Sequence, residues 1–181
     1  MMQILDSAER YGAISRLLHW AVAVLILWQF LGMGLKLIFG RNDFVGFFVG
    51  THQPVGFVIF WLVVVRALWA LASRKRRPEH GTGLVAKAAA AGHGLLYALM
   101  IAIPSLALLR AWGGTRGFAP FGIEVFAPRE AEIAWATGLA NLLHGELGWV
   151  LAVLILGHIA MVGVHESLWR DGTLRKMAGR R

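Results

Sequence analysis

The sequence predicts an all-α integral membrane protein, a four-helix bundle formed by a single domain over residues 1–181. The chain is 57 % hydrophobic and only 15 % charged, whereas soluble domains are about half apolar and about a quarter charged. Four stretches without a formal charge are each long enough for a membrane-spanning helix, which needs about 20 mainly apolar residues. These stretches are Leu17–Leu35, Phe44–Val65, Ala88–Leu109 and Leu147–His165.

The helices are predicted at about 14–37, 46–72, 88–110 and 138–168. The first is expected to be an uncleaved span, because its apolar run is too long for a signal peptide and no small-residue cleavage site follows it. A short loop leads to the second helix, and the basic segment Ser73–Lys87 leads to the third. The largest connection, about 111–137, is rich in Gly and Pro, which predicts turns.

The distribution of Lys and Arg predicts the orientation in the membrane. With four spans, both termini lie on one side. Twelve basic residues are predicted on that side: Arg10, Arg16, Arg74, Lys75, Arg76, Arg77, Lys87, Arg170, Arg175, Lys176, Arg180 and Arg181. Five are predicted on the other side: Lys36, Arg41, Arg110, Arg116 and Arg129. Because basic residues concentrate in the cytoplasm, both termini are predicted to be cytoplasmic. The net charge of +8 then indicates contact with anionic lipid rather than with nucleic acid.

Two histidines of the fourth predicted helix indicate that the protein binds cofactors. His144 and His158 are fourteen residues apart, so they return to nearly the same face, about 21 Å apart along the axis. That distance excludes a shared metal ion and suits two cofactors stacked across the membrane. Depth pairs His144 with His52 on the outer side, whereas on the inner side His158 has either His19 or His93 as partner.

Haem b is the cofactor that this arrangement favours. Facing histidines in a helix bundle are typical haem ligands, and the absence of cysteine excludes covalent attachment through thiols. Gly56 and Gly148, each four residues after a histidine, are predicted to give room for the flat ring. Hydrogen bonding between helices is the alternative for a lone histidine. A divalent ion is disfavoured because these histidines have no second ligand three or four residues away.

Two arginines are candidate partners of haem propionates. Arg66 lies fourteen residues after His52, at the depth of the inner haem, and a cation inside a membrane needs a counter-charge. Arg16 lies one turn before His19. A phospholipid headgroup is an equally good partner for Arg16.

Several motifs resemble the bacterial di-haem cytochrome b561 family, and especially its four-helix superoxide oxidases. They are R-L-L-H-W at 16–20, T-H-Q-P-V-G at 51–56, G-H-G-L-L-Y at 92–97, L-H-G-E-L-G at 143–148, G-H-I-A-M-V-G-V-H at 157–165 and L-W-R-D-G-T-L-R-K-M at 168–177. The resemblance implies that His19 and His158 hold the inner haem, and His52 and His144 the outer one. It also implies a ubiquinone site at His165, with Arg74 and Lys75 as the candidates for its basic residue.

The function implied by the resemblance is electron transfer from the periplasmic face of the bacterial inner membrane, through two haems b, to ubiquinone. The donor would be superoxide, oxidised to O₂, which would make the protein an enzyme. Acidic residues on the outer side offset the basic ones there: Asp43, Glu124, Glu130, Glu132 and Glu146. The alternative is a cytochrome b subunit that relays electrons between a periplasmic dehydrogenase or a hydrogenase and the quinone pool. The oligomeric state is not predicted.

Overall fold

The computed structural model describes residues 3–78 and 82–179, so Arg180 and Arg181 lie outside the described residues. The described part is an antiparallel helical bundle without a regular strand. Its α-helices are α1 (Ala13–Phe39), α2 (Asp43–Ala72), α3 (Gly83–Gly113), α4 (Ala134–Val164) and the short α5 (Thr173–Ala178). Four helical segments, the last running from Ala134 to Trp169, are long and apolar enough to cross a membrane. The predicted all-α, four-span fold is confirmed.

The helices extend beyond their predicted ends. Asn42 starts α2 at Asp43, because its side chain accepts the Val45 N–H at 2.9 Å and caps the helix. Helix α3 begins five residues earlier than predicted and α4 four residues earlier. Hydropathy predicts only the part of a helix that lies in lipid, so it does not predict the polar residues that extend the same helix. The predicted 111–137 loop therefore shrinks to 114–133.

The bundle packs as two pairs of helices. Helix α1 lies against α2 and α3 against α4, while α2 and α3 join the two pairs. The buried core sits halfway along the bundle and consists of Val22, Ile26, Ile59, Val63, Leu99, Met100 and Leu151. Large apolar side chains cover the outer surface, with Val24 at 62 % and Val153 at 69 % exposure. An outer surface of this kind is suited to lipid rather than to water.

The first and last described segments of the chain lie at one end of the bundle, here called the termini side. The buried carboxylate of Asp6 accepts hydrogen bonds from the Gly12 N–H at 2.8 Å, the Ser15 hydroxyl at 2.7 Å and Arg77 Nε at 3.1 Å. The Tyr11 N–H donates to the carbonyl of Lys176 at 3.2 Å. These bonds fix the N-terminal segment, the start of α1 and the segment after α2 to one another, and hold α5 beside them.

The opposite side is closed by the loop 114–133. Phe118 and Phe126 form an isolated antiparallel bridge, and the Phe118 ring packs against Phe57 of α2 at 5.5 Å. Gly117 has φ +69°, and a side chain there would collide with the Phe126 carbonyl. The loop is therefore held against the bundle close to the α2 histidine.

Candidate haem and quinone sites

The opposite side of the bundle holds a pair of facing histidines, His52 of α2 and His144 of α4. Their ring centroids are 6.1 Å apart, with the rings at 75°. His144 Nδ1–H donates to the Ile103 carbonyl at 2.9 Å, which leaves its Nε2 lone pair available to a metal. His52 Nδ1 is buried and has no hydrogen-bond partner within the described chain. A buried nitrogen of this kind is costly unless a ligand completes it.

The termini side holds three neighbouring imidazoles. The rings of His19 of α1 and His158 of α4 are 6.4 Å apart at their centroids, and His93 of α3 is 5.4 Å from His158. His93 Nδ1–H donates to the Ala89 carbonyl at 2.7 Å. The structure thus places both candidate partners beside His158, as the depth of each residue in its helix predicts.

Arg66 reaches the termini-side histidines. Its Nη2 donates to His19 Nδ1 at 2.8 Å, and its guanidinium lies over the Tyr97 ring at 5.0 Å. Arg16 packs against Gly179 near the C-terminus, and its Nε is buried without a hydrogen-bond partner in the described chain. Of the two predicted propionate partners, Arg66 therefore contacts His19, and Arg16 lies near the start of α1. The unpaired Nε–H of Arg16 is a donor suited to an anion.

Helix α4 separates the two histidine levels with an apolar side chain. Leu151 lies seven residues from both His144 and His158, on nearly the same helix face. It is 6 % exposed and belongs to the central core. The two imidazole levels are consequently divided by packed hydrocarbon and stand about 21 Å apart along α4.

The two glycines predicted to flank a haem have different surroundings. A Cβ added at Gly148 would meet nothing within 4 Å, whereas one at Gly56 would lie 3.2 Å from Gln29 Nε2. Gln29 donates through that nitrogen to the His52 carbonyl at 2.8 Å. Gly56 thus makes room for a side chain of α1 that holds the His52 backbone, and its role beside a macrocycle stays a prediction.

These residues fit haem b. An imidazole nitrogen binds a metal ion at about 2 Å, so two rings whose centroids are about 6 Å apart could both reach one iron between them. The observed 6.1 and 6.4 Å agree with that distance. Within the described chain no group of three or more His, Cys, Asp or Glu could hold a metal ion. A porphyrin needs no such group, because it supplies the four equatorial nitrogens itself.

His165 lies at the termini side, directly after α4, in a π-helical turn that spans His165–Trp169. Its Nδ1 donates to the carboxylate of Asp171 at 2.6 Å, and its ring meets the Trp169 ring edge-on at 4.6 Å. Sequence analysis did not identify Asp171. The only available signal was its position six residues after His165, which does not bring two side chains together on a regular α-helix.

The basic residues after α2 have separate roles. Arg74 and Lys75 are exposed in a 3₁₀ turn, and no hydrogen bond or ion pair joins either to His165. Arg77, which follows them in the same basic run, is instead paired with Asp6 and lies over the Tyr11 ring. The structure therefore does not bring Arg74 or Lys75 into contact with His165, and their part in a quinone site stays a prediction.

Comparison with known proteins decides the family. Residues 10–180 match the family model described as prokaryotic cytochrome b561. The chain is 28 % identical over 181 residues to cytochrome b561 homolog 2 of Escherichia coli strain K12, covering 99 % of this chain and 96 % of that protein. It is 34 % identical over 174 residues to cytochrome b562 of Cereibacter sphaeroides, covering 92 % and 94 % respectively. This chain belongs to the prokaryotic cytochrome b561 family.

Membership of the cytochrome b561 family establishes the broad chemistry. The protein is a multi-pass bacterial membrane cytochrome of the b type that takes part in electron transfer. The family implies haem b as the cofactor.

Proposed function

We propose that this cytochrome b561 holds two haems b and transfers electrons across the bacterial inner membrane to ubiquinone. The electrons enter on the side opposite the termini and leave on the termini side, which faces the cytoplasm. The observation that carries the proposal is the presence of two facing histidine pairs at two levels of one membrane bundle, with centroid distances of 6.1 and 6.4 Å.

Each histidine pair is assigned one haem. His52 and His144 hold the haem on the opposite side, and His19 and His158 hold the haem on the termini side. Bound haem b supplies reversible one-electron chemistry. Arg66 donates to His19 Nδ1. His19 would hold the iron of a bound haem through its other ring nitrogen, and Arg66 would supply a positive charge for a propionate.

Ubiquinone is assigned to the termini side beside His165. The contact with Asp171 uses Nδ1 of the His165 ring. The other ring nitrogen, Nε2, makes no hydrogen bond within the described chain. A quinone carbonyl is an acceptor for a protonated imidazole, and quinone reduction requires protons as well as electrons. The exposed Arg74 and Lys75 on the same side are proposed to favour negative charge on the reduced ring.

Quantitative haem extraction tests the cofactor assignment. We expect two haems b per chain, with low-spin spectra in both redox states, because each histidine pair would supply two imidazole ligands to one iron. The measurement is a pyridine haemochrome assay against protein determined by amino-acid analysis. One haem per chain, or none, contradicts the proposal.

Superoxide is the proposed electron donor, and it is oxidised to O₂ as it gives up one electron. Lys36 in the last turn of α1 and Arg110 in the last turn of α3 place positive charge on the side that holds His52 and His144. A positive field at this end speeds the arrival of a small anion.

Removing a charge from this end tests the donor. With enzymatically generated superoxide and ubiquinone-1, Arg110→Gln is expected to lower the rate of quinone reduction about threefold or more at low ionic strength. The matched control is Arg116→Gln, an exposed arginine in the loop, for which little change is expected. No quinone reduction by wild-type protein with superoxide rules out this donor.

A relay between a partner protein and quinone is the second candidate. The loop 114–133 on the opposite side exposes Phe121 at 68 % and Ile123 at 69 %, with acidic Glu124 beside them, and such a surface suits protein contact. A cytochrome b561 that accepts no electron from superoxide, yet is reduced by a co-purified dehydrogenase or hydrogenase, would support this function.

A further inference from the structure

The end of α4 has a backbone path that returns the chain onto His165. The helix widens into the π-helical turn His165–Trp169, and Arg170 then adopts the left-handed conformation with φ +50°. Such a conformation is uncommon for a residue with a Cβ, and π-helical turns occur frequently at functional sites. The N–H of Asp171 points back to the His165 carbonyl at 3.4 Å. The path thus brings residue 171 beside residue 165.

Both carboxylate oxygens of Asp171 are engaged after this reversal. Oδ2 accepts from His165 Nδ1 at 2.6 Å, and Oδ1 accepts the backbone N–H of Thr173, the first residue of α5, at 3.0 Å. Hydrogen bonds from Thr173 and His165 hold the pKa of Asp171 at about 2. The carboxylate is therefore ionised at neutral pH and is fixed against the start of α5.

We propose that Asp171 is the positioning residue of His165 in quinone reduction. The inference rests on the function proposed above. By accepting Nδ1–H, the carboxylate fixes the tautomer and the plane of the imidazole, so that Nε2 is the nitrogen that takes up and releases a proton. Nε2, which makes no hydrogen bond within the described chain, is then the atom presented to the quinone carbonyl.

One ubiquinone takes two electrons and two protons to become ubiquinol. Two one-electron oxidations of the donor supply the electrons. His165 gives one proton from Nε2 to a carbonyl oxygen of the ring, and the second proton comes from water on the termini side. The imidazole that remains keeps Nδ1–H on Asp171 and regains its Nε2 proton from water, so each transfer consumes one proton from the termini side.

Other charged groups near His165 do not replace Asp171. The turn carries Glu166, and the residues that follow it carry Arg170, Arg175 and Lys176. Within the described chain none of them makes a hydrogen bond or ion pair with His165. Thr173 Oγ1 lies 3.4 Å from Nδ1, and it is uncharged. Among the described residues, Asp171 is therefore the one whose carboxylate contacts the His165 ring.

The test follows reoxidation of the dithionite-reduced holoprotein by ubiquinone-1 in a stopped-flow spectrometer. Asp171→Asn is expected to lower the saturating rate at least about tenfold, because the amide both removes the charge and can donate to Nδ1, which favours the wrong tautomer. The half-saturating quinone concentration should change little. Asp171→Glu, which restores a carboxylate, should recover most of the rate. Unchanged haem content shows that each variant is folded.

The matched control is Glu166→Gln, which removes an exposed carboxylate from the adjacent residue and should keep the wild-type rate. A second readout does not depend on turnover. In ¹⁵N-histidine-labelled protein, the downfield imidazole N–H proton of the short bond should vanish in His165→Gln and Asp171→Ala, and persist in Glu166→Gln. A wild-type rate in Asp171→Asn, or loss of that proton only in His165→Gln, overturns this inference alone. No reoxidation of the wild-type protein by ubiquinone-1 overturns the proposed function as well.

Discussion

Alanine at either histidine of one pair is expected to remove one haem and leave the other. His52→Ala and His144→Ala should each lose the haem of the opposite side, and His158→Ala the haem of the termini side. Each iron is proposed to have two protein ligands, and the packed core around Leu151 separates the two levels. The pyridine haemochrome content should therefore fall by half, from two haems to one per chain.

The partner of His158 is decided by the same measurement. His19→Ala should lose the termini-side haem, whereas His93→Ala should retain both haems. The 6.4 Å separation of His19 and His158 suits a shared iron, and the 5.4 Å between His93 and His158 is shorter than such a pair requires. Haem loss in His93→Ala together with full haem in His19→Ala would reverse the inner assignment. Loss of both haems in every variant would show that the bundle unfolds without either one.

Redox titration of the remaining haem gives a further check. If the pairs are independent, the single haem left in His144→Ala should titrate as one one-electron component. Its spectrum should match the corresponding component of the wild-type protein, since its own ligands His19 and His158 are intact. A high-spin spectrum would mean that one of those two ligands has been lost.

Periodicity and hydropathy were sufficient for the broad features of this protein. An uncharged stretch of about 20 residues has few folded alternatives to a membrane helix, so four such stretches predict the bundle. The fourteen-residue spacing of His144 and His158 predicts their common face because an α-helix is regular over that length. The facing positions of His52 and His144 then follow from depth, and the structure places their rings 6.1 Å apart.

Side-chain contacts that depend on irregular backbone were not predictable in this way. Asp171 meets His165 only because a π-helical turn and a left-handed Arg170 interrupt the helix, and neither has a clear sequence signal. Arg77 looks like one more cation of the RKRR run, but it pairs with Asp6, which lies 71 residues away in the chain. Periodicity carries no information about contacts that join segments so distant in sequence.

Replacing His165 by alanine is expected to slow electron transfer to ubiquinone while both haems remain. The residue lies two turns beyond His158, about 10 Å further along the axis, so we do not expect it to bind the iron assigned to His158. Its loss removes the imidazole Nε2 proposed to protonate the quinone carbonyl. Reoxidation of the reduced holoprotein by ubiquinone-1 should fall at least about tenfold, which corresponds to about 1.4 kcal/mol of activation free energy.

The control for that variant is Leu168→Ala, which shortens a side chain on the same π-helical turn that is 73 % exposed. It should keep the wild-type rate, because Leu168 makes no polar contact with His165. Arg74→Gln and Lys75→Gln should lower the rate less than His165→Ala, since exposed charges act through solvent and are screened by salt. A full rate in His165→Ala would refute the assignment of the quinone site. Loss of a haem in the same variant would instead place His165 among the iron ligands, and the pairing of His158 would then have to be revised.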